Sequence, residues 1–99
     1  MLDLLIKNAQ IIDGSGKSAY QGDVGIKDGK IRIGERQALE EISADGLTLT
    51  PGFIDAHSHS DITLTDDFSS LSKLSQGITT HIGGNCSISM FPVQNSNNF

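Results

Sequence analysis

The chain has 99 residues, enough for one small domain with a modest core and little room for an elaborate active site. Seven Lys and Arg stand against twelve Asp and Glu, a net charge of -5, and no basic cluster could follow a phosphate backbone, which argues against nucleic-acid binding. A single cysteine, Cys86, excludes an internal disulfide framework and suits a reducing compartment; no basic leader and no run near ~18 apolar residues appears, so a soluble, cytoplasmic chain without membrane contact is expected.

The first half is written in strands and tight turns. "DLLIKNAQIID" carries two apolar runs around Lys7 and Asn8. "GSGKS" at residues 14 to 18 resembles the end of a phosphate-binding loop, but Ile11 stands where that pattern needs glycine and no helix pattern follows, so a solvated turn is expected. "DVGIKDGKIRIG" alternates Val24 and Ile26 with Ile31 and Ile33 about Asp28 and Gly29, a hairpin signal because a type I′ turn needs positive φ at both central residues. A second such turn is expected at Asp45 and Gly46 in "SADGLTLT". Residues 1 to 50 therefore read as a small antiparallel β unit.

The pattern changes at Pro51. "TPGFIDAHSH" reads as a strand that places Phe53, Asp55, His57 and His59 on one face. "TDDFSSLSKLSQG" reads as a helix, with Thr65 as N-cap, Asp66 and Asp67 at the positive end of the dipole, an apolar stripe of Phe68, Leu71 and Leu74, and Gly77 just past the end. "GITTHIGG" is β-branched and uncharged, as a strand buried on both faces should be. Strand, helix and strand at this spacing make a βαβ unit with neighbouring parallel strands and a right-handed crossover. From Gly77 to Phe99 no charged residue occurs, so this stretch is expected to be covered, with "SISMFPVQNSNNF" as loop.

The candidate site follows from this arrangement. Two imidazoles on one strand face can converge on one ion at a Zn–N distance of ~2.0 to 2.1 Å, with Asp55 placed to orient a ligand or hold charge behind them. The alternative is a polar strand end with both histidines solvated. Cys86 follows the second strand, and the C-terminal ends of parallel strands share one sheet edge, where function collects. Two histidines and a thiol at that edge suit zinc; the alternative for Cys86 is a small buried hydrophobe. His81, inside the second strand, is expected to be packed or hydrogen-bonded. Gly83 and Gly84 suit a sharply turning rim loop.

"PGFIDAHSHSD" followed by "LSQGITTHIGGNCSIS", and the opening "IKNAQIIDGSGKSAYQGDVGIKDGKIRIG", resemble the amidohydrolase superfamily, and within it the N-acyl-D-amino-acid deacylases, or D-aminoacylases. The resemblance implies an α+β fragment: residues 1 to 50 as the N-terminal part of a small β-sandwich, and residues 51 to 99 as the first βαβ unit of a (β/α)8 barrel, about a fifth of the ~250 residues a full barrel needs. It also implies that His57, His59 and Cys86 are zinc ligands, with Asp55 behind them. The implied reaction is hydrolysis of an N-acyl-D-amino acid, with zinc polarising the acyl carbonyl and lowering the pKa of a water toward ~7.

The catalytic aspartate and further histidines of the family belong to later strands, so no catalytic residue and no activity are expected of this stretch alone. Where the family commonly has "GNCG" this chain has "GNCS", and Ser87 would be strained by roughly 1 to 2 kcal/mol if that position needs positive φ. Two other expectations stand beside the deacylase. One is a non-catalytic β-rich module that self-associates through unpaired strand edges. The other is a fragment of a cyclic amidohydrolase resembling dihydroorotase or hydantoinase.

Overall fold

The computed structural model describes residues 1 to 60 and 67 to 86, and the chain divides into two compact units, Met1–Pro51 and Gly52–Phe99. The helix cap at Thr65 and Asp66, the strain at Ser87 and the loop reading of the tail lie outside the described residues.

The first unit is a sheet centred on β1 (Leu2–Ile11). Beside it lie β2 (Tyr20–Lys27), β3 (Lys30–Arg32) and β4 (Ala38–Ser43) in the order β3-β2-β1-β4, and β5 (Thr48–Leu49) also pairs β1. β2 runs antiparallel to β1, with Leu4 opposite Ile26 and Ile11 opposite Tyr20. β2 and β3 form the expected hairpin, and Asp28 and Gly29 both have positive φ, 50° and 69°, as a type I′ turn requires.

The unit is not wholly antiparallel. β4 and β5 both run parallel to β1, so the turn at Asp45 and Gly46 does not close a second hairpin. The registers show why. β1 advances from Lys7 to Gln10 while the neighbouring chain advances from Ser43 to Thr48, and the turn, with Gly46 at φ 74° and Leu47 N–H donating to Ala44 C=O at 2.9 Å, takes up the two extra residues. The chain then continues along the same edge of β1. Apolar alternation reports which face a residue occupies, not the direction of its neighbour.

Lys7 and Asn8 do not separate two strands; they form a bulge inside one. Asn8 has φ 58°, and the pairing with β2 shifts between Ile6 and Ala9. Backbone groups freed by the bulge are satisfied by β2 side chains: Asn8 N–H donates to Asp23 Oδ1 at 2.9 Å and Gln21 Nε2 donates to Asn8 C=O at 2.6 Å. The extra residue brings Ile6, Ala9 and Ile11 to one cluster with Val24, Ala44 and Leu49. At the other end of β1 Leu2 is fully buried, and a Cβ on Gly25 would come within 2.5 Å of its Cδ1, so glycine leaves the space that Leu2 fills.

One apolar side of the sheet is open. Ile6, Ile11, Tyr20, Val24, Ile31 and Leu49 are among the residues lining a hollow of about 380 Å3, and Ile31 is 70% exposed. The "GSGKS" segment is an exposed turn that leads into β2 rather than a helix, and the Asp13 carboxylate accepts the Ser15 N–H at 2.9 Å.

The second unit pairs β6 (Phe53–Asp55) with β7 (Ile78–His81) in parallel, joined through α1 (Asp67–Leu74). Phe53 lies opposite Ile78 and Asp55 opposite His81. A Cβ on Gly52 would overlap the Thr79 side chain, so the strands can approach only with glycine there. After α1 the chain turns at Gly77, φ 82°, whose N–H donates to Leu74 C=O at 2.9 Å. Two packing expectations are not met among the described residues. Thr79 and Thr80 are exposed although β7 reads as doubly covered, and Leu71 and Leu74 are each 61% exposed although their spacing marks a core face. Spacing identifies the apolar stripe but not a neighbour to bury it.

Candidate metal centre

β6 ends at Asp55, and Ala56 and His57 lie in a bend. The histidine pair therefore sits in the loop after the strand, not on a continuous strand face. Two backbone bonds hold this loop to the chain at the end of β7: Ile82 N–H donates to Asp55 C=O at 2.8 Å, and Ser58 N–H to Ile82 C=O at 3.3 Å. At the other end of the strand pair Phe53 N–H donates to Gly77 C=O at 2.8 Å.

The rim after β7 turns sharply, as its glycines suggest. Gly84 has φ 78° and Cys86 itself φ 56°, so within the described residues the left-handed non-glycine position of this loop is the cysteine. Asn85 Nδ2 donates to Ile82 C=O at 2.9 Å and closes the turn. Cys86 Sγ then lies 3.0 Å from His57 Nε2. The His57 and His59 rings meet edge to face with centroids 5.5 Å apart, and one ligand atom from each of His57, His59 and Cys86 lies within 4.8 Å of the others. All three residues are exposed. Cys86 is a free, exposed thiol rather than a buried one.

Zinc bonded to nitrogen at about 2.0 to 2.1 Å and to sulfur at about 2.3 Å holds its ligand atoms roughly 3.3 to 3.6 Å apart in a tetrahedron. The three atoms here are gathered closely enough to meet that spacing after small side-chain rotations. His81 is not a member of the cluster. It is half-buried at the end of β7 opposite Asp55, to which it contributes a favourable charge interaction.

Among the described residues, no hydrogen bond joins Asp55 to either imidazole. Its Oδ1 accepts the His57 backbone N–H at 3.3 Å, and its Oδ2 is paired with Lys73 Nζ at 2.6 Å. Lys73 and then the His57 N–H hold the Asp55 carboxyl below its ordinary range. Lys73 also donates to Ser58 Oγ at 2.9 Å. The Ser58 hydroxyl, 7% exposed, further accepts Ser60 N–H at 3.1 Å and donates to Ser60 Oγ at 2.9 Å, so its one donor and two acceptor positions are all used. Neither Lys73 nor Ser58 stands out in the chemical reading of the sequence. A signal was present: Lys73 is the only Lys or Arg after Arg36, in a half of the chain whose other charges are aspartates.

Comparison with known proteins gives this arrangement its context. No protein-family model matches the chain. It is 44% identical over 95 residues to an N-acyl-D-aspartate deacylase of Alcaligenes xylosoxydans xylosoxydans, a match covering 92% of this chain and 19% of that protein. The chain belongs to the N-acyl-D-amino-acid deacylase family of amidohydrolases. Among solved structures, an N-acyl-D-glutamate deacylase from Bordetella bronchiseptica, complexed with zinc and a phosphonate mimic of the tetrahedral intermediate, superposes with a TM-score of 0.84 at 37% identity, covering 99% of this chain and 22% of that one. An L-hydantoinase (dihydropyrimidinase) from Arthrobacter aurescens superposes with a TM-score of 0.67 at 26% identity over 82% of this chain and 20% of that one. The chain thus spans about a fifth of the length of the deacylases it matches, and its mixed, strand-rich fold is that of the corresponding part of the family.

Proposed function

We propose that this deacylase-family chain supplies the opening part of a zinc site that hydrolyses the amide bond of N-acyl-D-amino acids, with His57, His59 and Cys86 as ligands. The observation that carries this reading is the convergence of two imidazoles and one thiol from the ends of two parallel strands. When bound, zinc supplies Lewis acidity toward the acyl carbonyl and toward water. The chain's own residues bind and orient. His57 and Cys86 already face each other, and Asp55 fixes the His57 backbone through its N–H.

A proton must also reach the departing amine, and Asp55 is a poor group for that task. Its carboxylate is held by Lys73 and kept below its ordinary range, whereas a group that hands a proton to the amine must carry one near the working pH. We assign the proton transfer to a group outside these residues, so the chain by itself is inactive. In the same reading, residues 1 to 50 are the N-terminal part of a small sandwich, and residues 51 to 99 open the barrel. The free thiol of Cys86 fits a reducing, cytoplasmic setting.

The hydantoinase likeness favours a second substrate class, a cyclic amide. We rank it second because the deacylases match with higher identity and TM-score. Equilibrium dialysis against buffered zinc tests the metal assignment. One zinc per chain is expected for the wild type, with at least a tenfold loss of affinity in C86S and in H57A. Equal binding by wild type and both variants would refute it.

A further inference from the structure

We propose that Lys73 is a positioning residue for the metal centre: its ammonium bridges Asp55 and Ser58, and so fixes the loop that carries His57 and His59. The proposal rests on the metal reading above. Its geometry is independent of the ligand triad, because Lys73 approaches from α1 while the ligands come from the loops after β6 and β7.

Four observations support it. The Lys73 side chain is 19% exposed and that of Asp55 28%, whereas the Lys7–Glu41 and Lys27–Asp3 pairs of the first unit are 39 to 48% exposed. At 2.6 Å the Lys73 pair is also the shortest of the three. A shielded, short pair retains more of its Coulomb attraction than an exposed one. Its two acceptors bracket the first histidine: Asp55 lies two residues before His57 and Ser58 directly after it. One ammonium therefore spans the bend at Ala56 and His57 and pins both of its ends to the helix. The acceptors are themselves committed to the loop, since Asp55 takes the His57 N–H and Ser58 takes the Ser60 N–H. Groups that orient ligands from behind in this way typically change metal affinity about 10- to 100-fold when removed.

An opposite effect competes. Removing the ammonium also leaves the Asp55 carboxylate unpaired beside the site, which by charge alone would attract a cation more strongly. The position of the loop and the charge near it thus predict changes of opposite sign.

Co2+ titration of the chain, followed by its thiolate-to-metal absorption and by competition with a chelating dye, separates them. K73M is expected to bind Co2+ at least ~10-fold more weakly, with a weaker and broadened absorption band. K73R, which can still fork to Asp55 and Ser58, is expected within about threefold of the wild type. K7A, which breaks only the Lys7–Glu41 pair, is expected to leave binding unchanged. S58A removes one arm of the bridge and carries the same test should K73M fail to fold; it is expected between wild type and K73M. Wild-type affinity or tighter binding in K73M, or a K73R as weak as K73M, overturns the role of Lys73 and leaves the metal reading standing. A wild-type chain that binds no Co2+ overturns both.

Discussion

Asp3 shows how much a single carboxylate can organise without burial. It reaches from β1 to the β2–β3 hairpin, where Oδ2 accepts the Asp28 N–H at 2.8 Å and Oδ1 pairs with Lys27 Nζ at 3.3 Å. The Asp28 N–H foremost, then Lys27, hold its pKa below the ordinary 3.8. A carboxylate with a depressed folded-state pKa adds stability above its unfolded pKa and loses it as pH falls through the folded value. Thermal unfolding should therefore show wild type more stable than D3N at pH 6, with the two converging below pH 3. A constant difference across that range would mean that Asp3 acts by packing alone. Asn8 and Cys86 share a left-handed backbone, with φ 58° and 56°, for different ends. Asn8 shifts the faces of β1, whereas Cys86 turns its thiol toward His57. Neither conformation was legible from residue type. The three ligand candidates were visible because His and Cys carry distinctive chemistry, while Lys73, a helix-end cation at the negative pole of the dipole, carries no such signature.

At the scale of elements, local turn chemistry was readable where it acts alone and misleading where the neighbouring strand decides. Asp28-Gly29 closes the β2–β3 hairpin, while Asp45-Gly46, the same dipeptide, is an excursion along one edge of β1. The difference lies in what the flanking strands pair with: β2 and β3 pair with each other, whereas β4 and β5 both run parallel to β1. Replacing Gly29 should cost stability through strain at φ 69°. G29A is expected to lower the unfolding free energy by about 1 to 2 kcal/mol in urea titration, and an unchanged midpoint would contradict the type I′ geometry. The βαβ order and the parallel pairing of β6 with β7 followed from the spacing of apolar runs. The end of β6 did not, because alternation continues through Asp55, His57 and His59 although the chain bends at Ala56.

For the molecule as a whole, the open apolar side of the first unit carries a consequence of its own. Ile31 and Ile33, about 70% exposed, and Tyr20 lie along a hollow that no described residue of the unit fills. Such a face favours association. We expect the weight-average mass in sedimentation to rise with concentration and to fall toward the monomer in I31K; a stable wild-type monomer would exclude self-association. The deacylase family was legible because three stretches of sequence occur in order. The share of the family's length was legible too, but not the faces left uncovered, because those depend on which surfaces meet rather than on which residues are apolar. The central claim, that His57, His59 and Cys86 together hold zinc, is tested most directly by X-ray absorption at the zinc edge of the metal-loaded chain. The account predicts one sulfur near ~2.3 Å and at least two imidazole nitrogens near ~2.0 Å, with the sulfur shell lost in C86S. A shell of oxygen ligands alone, unchanged by C86S, would contradict it.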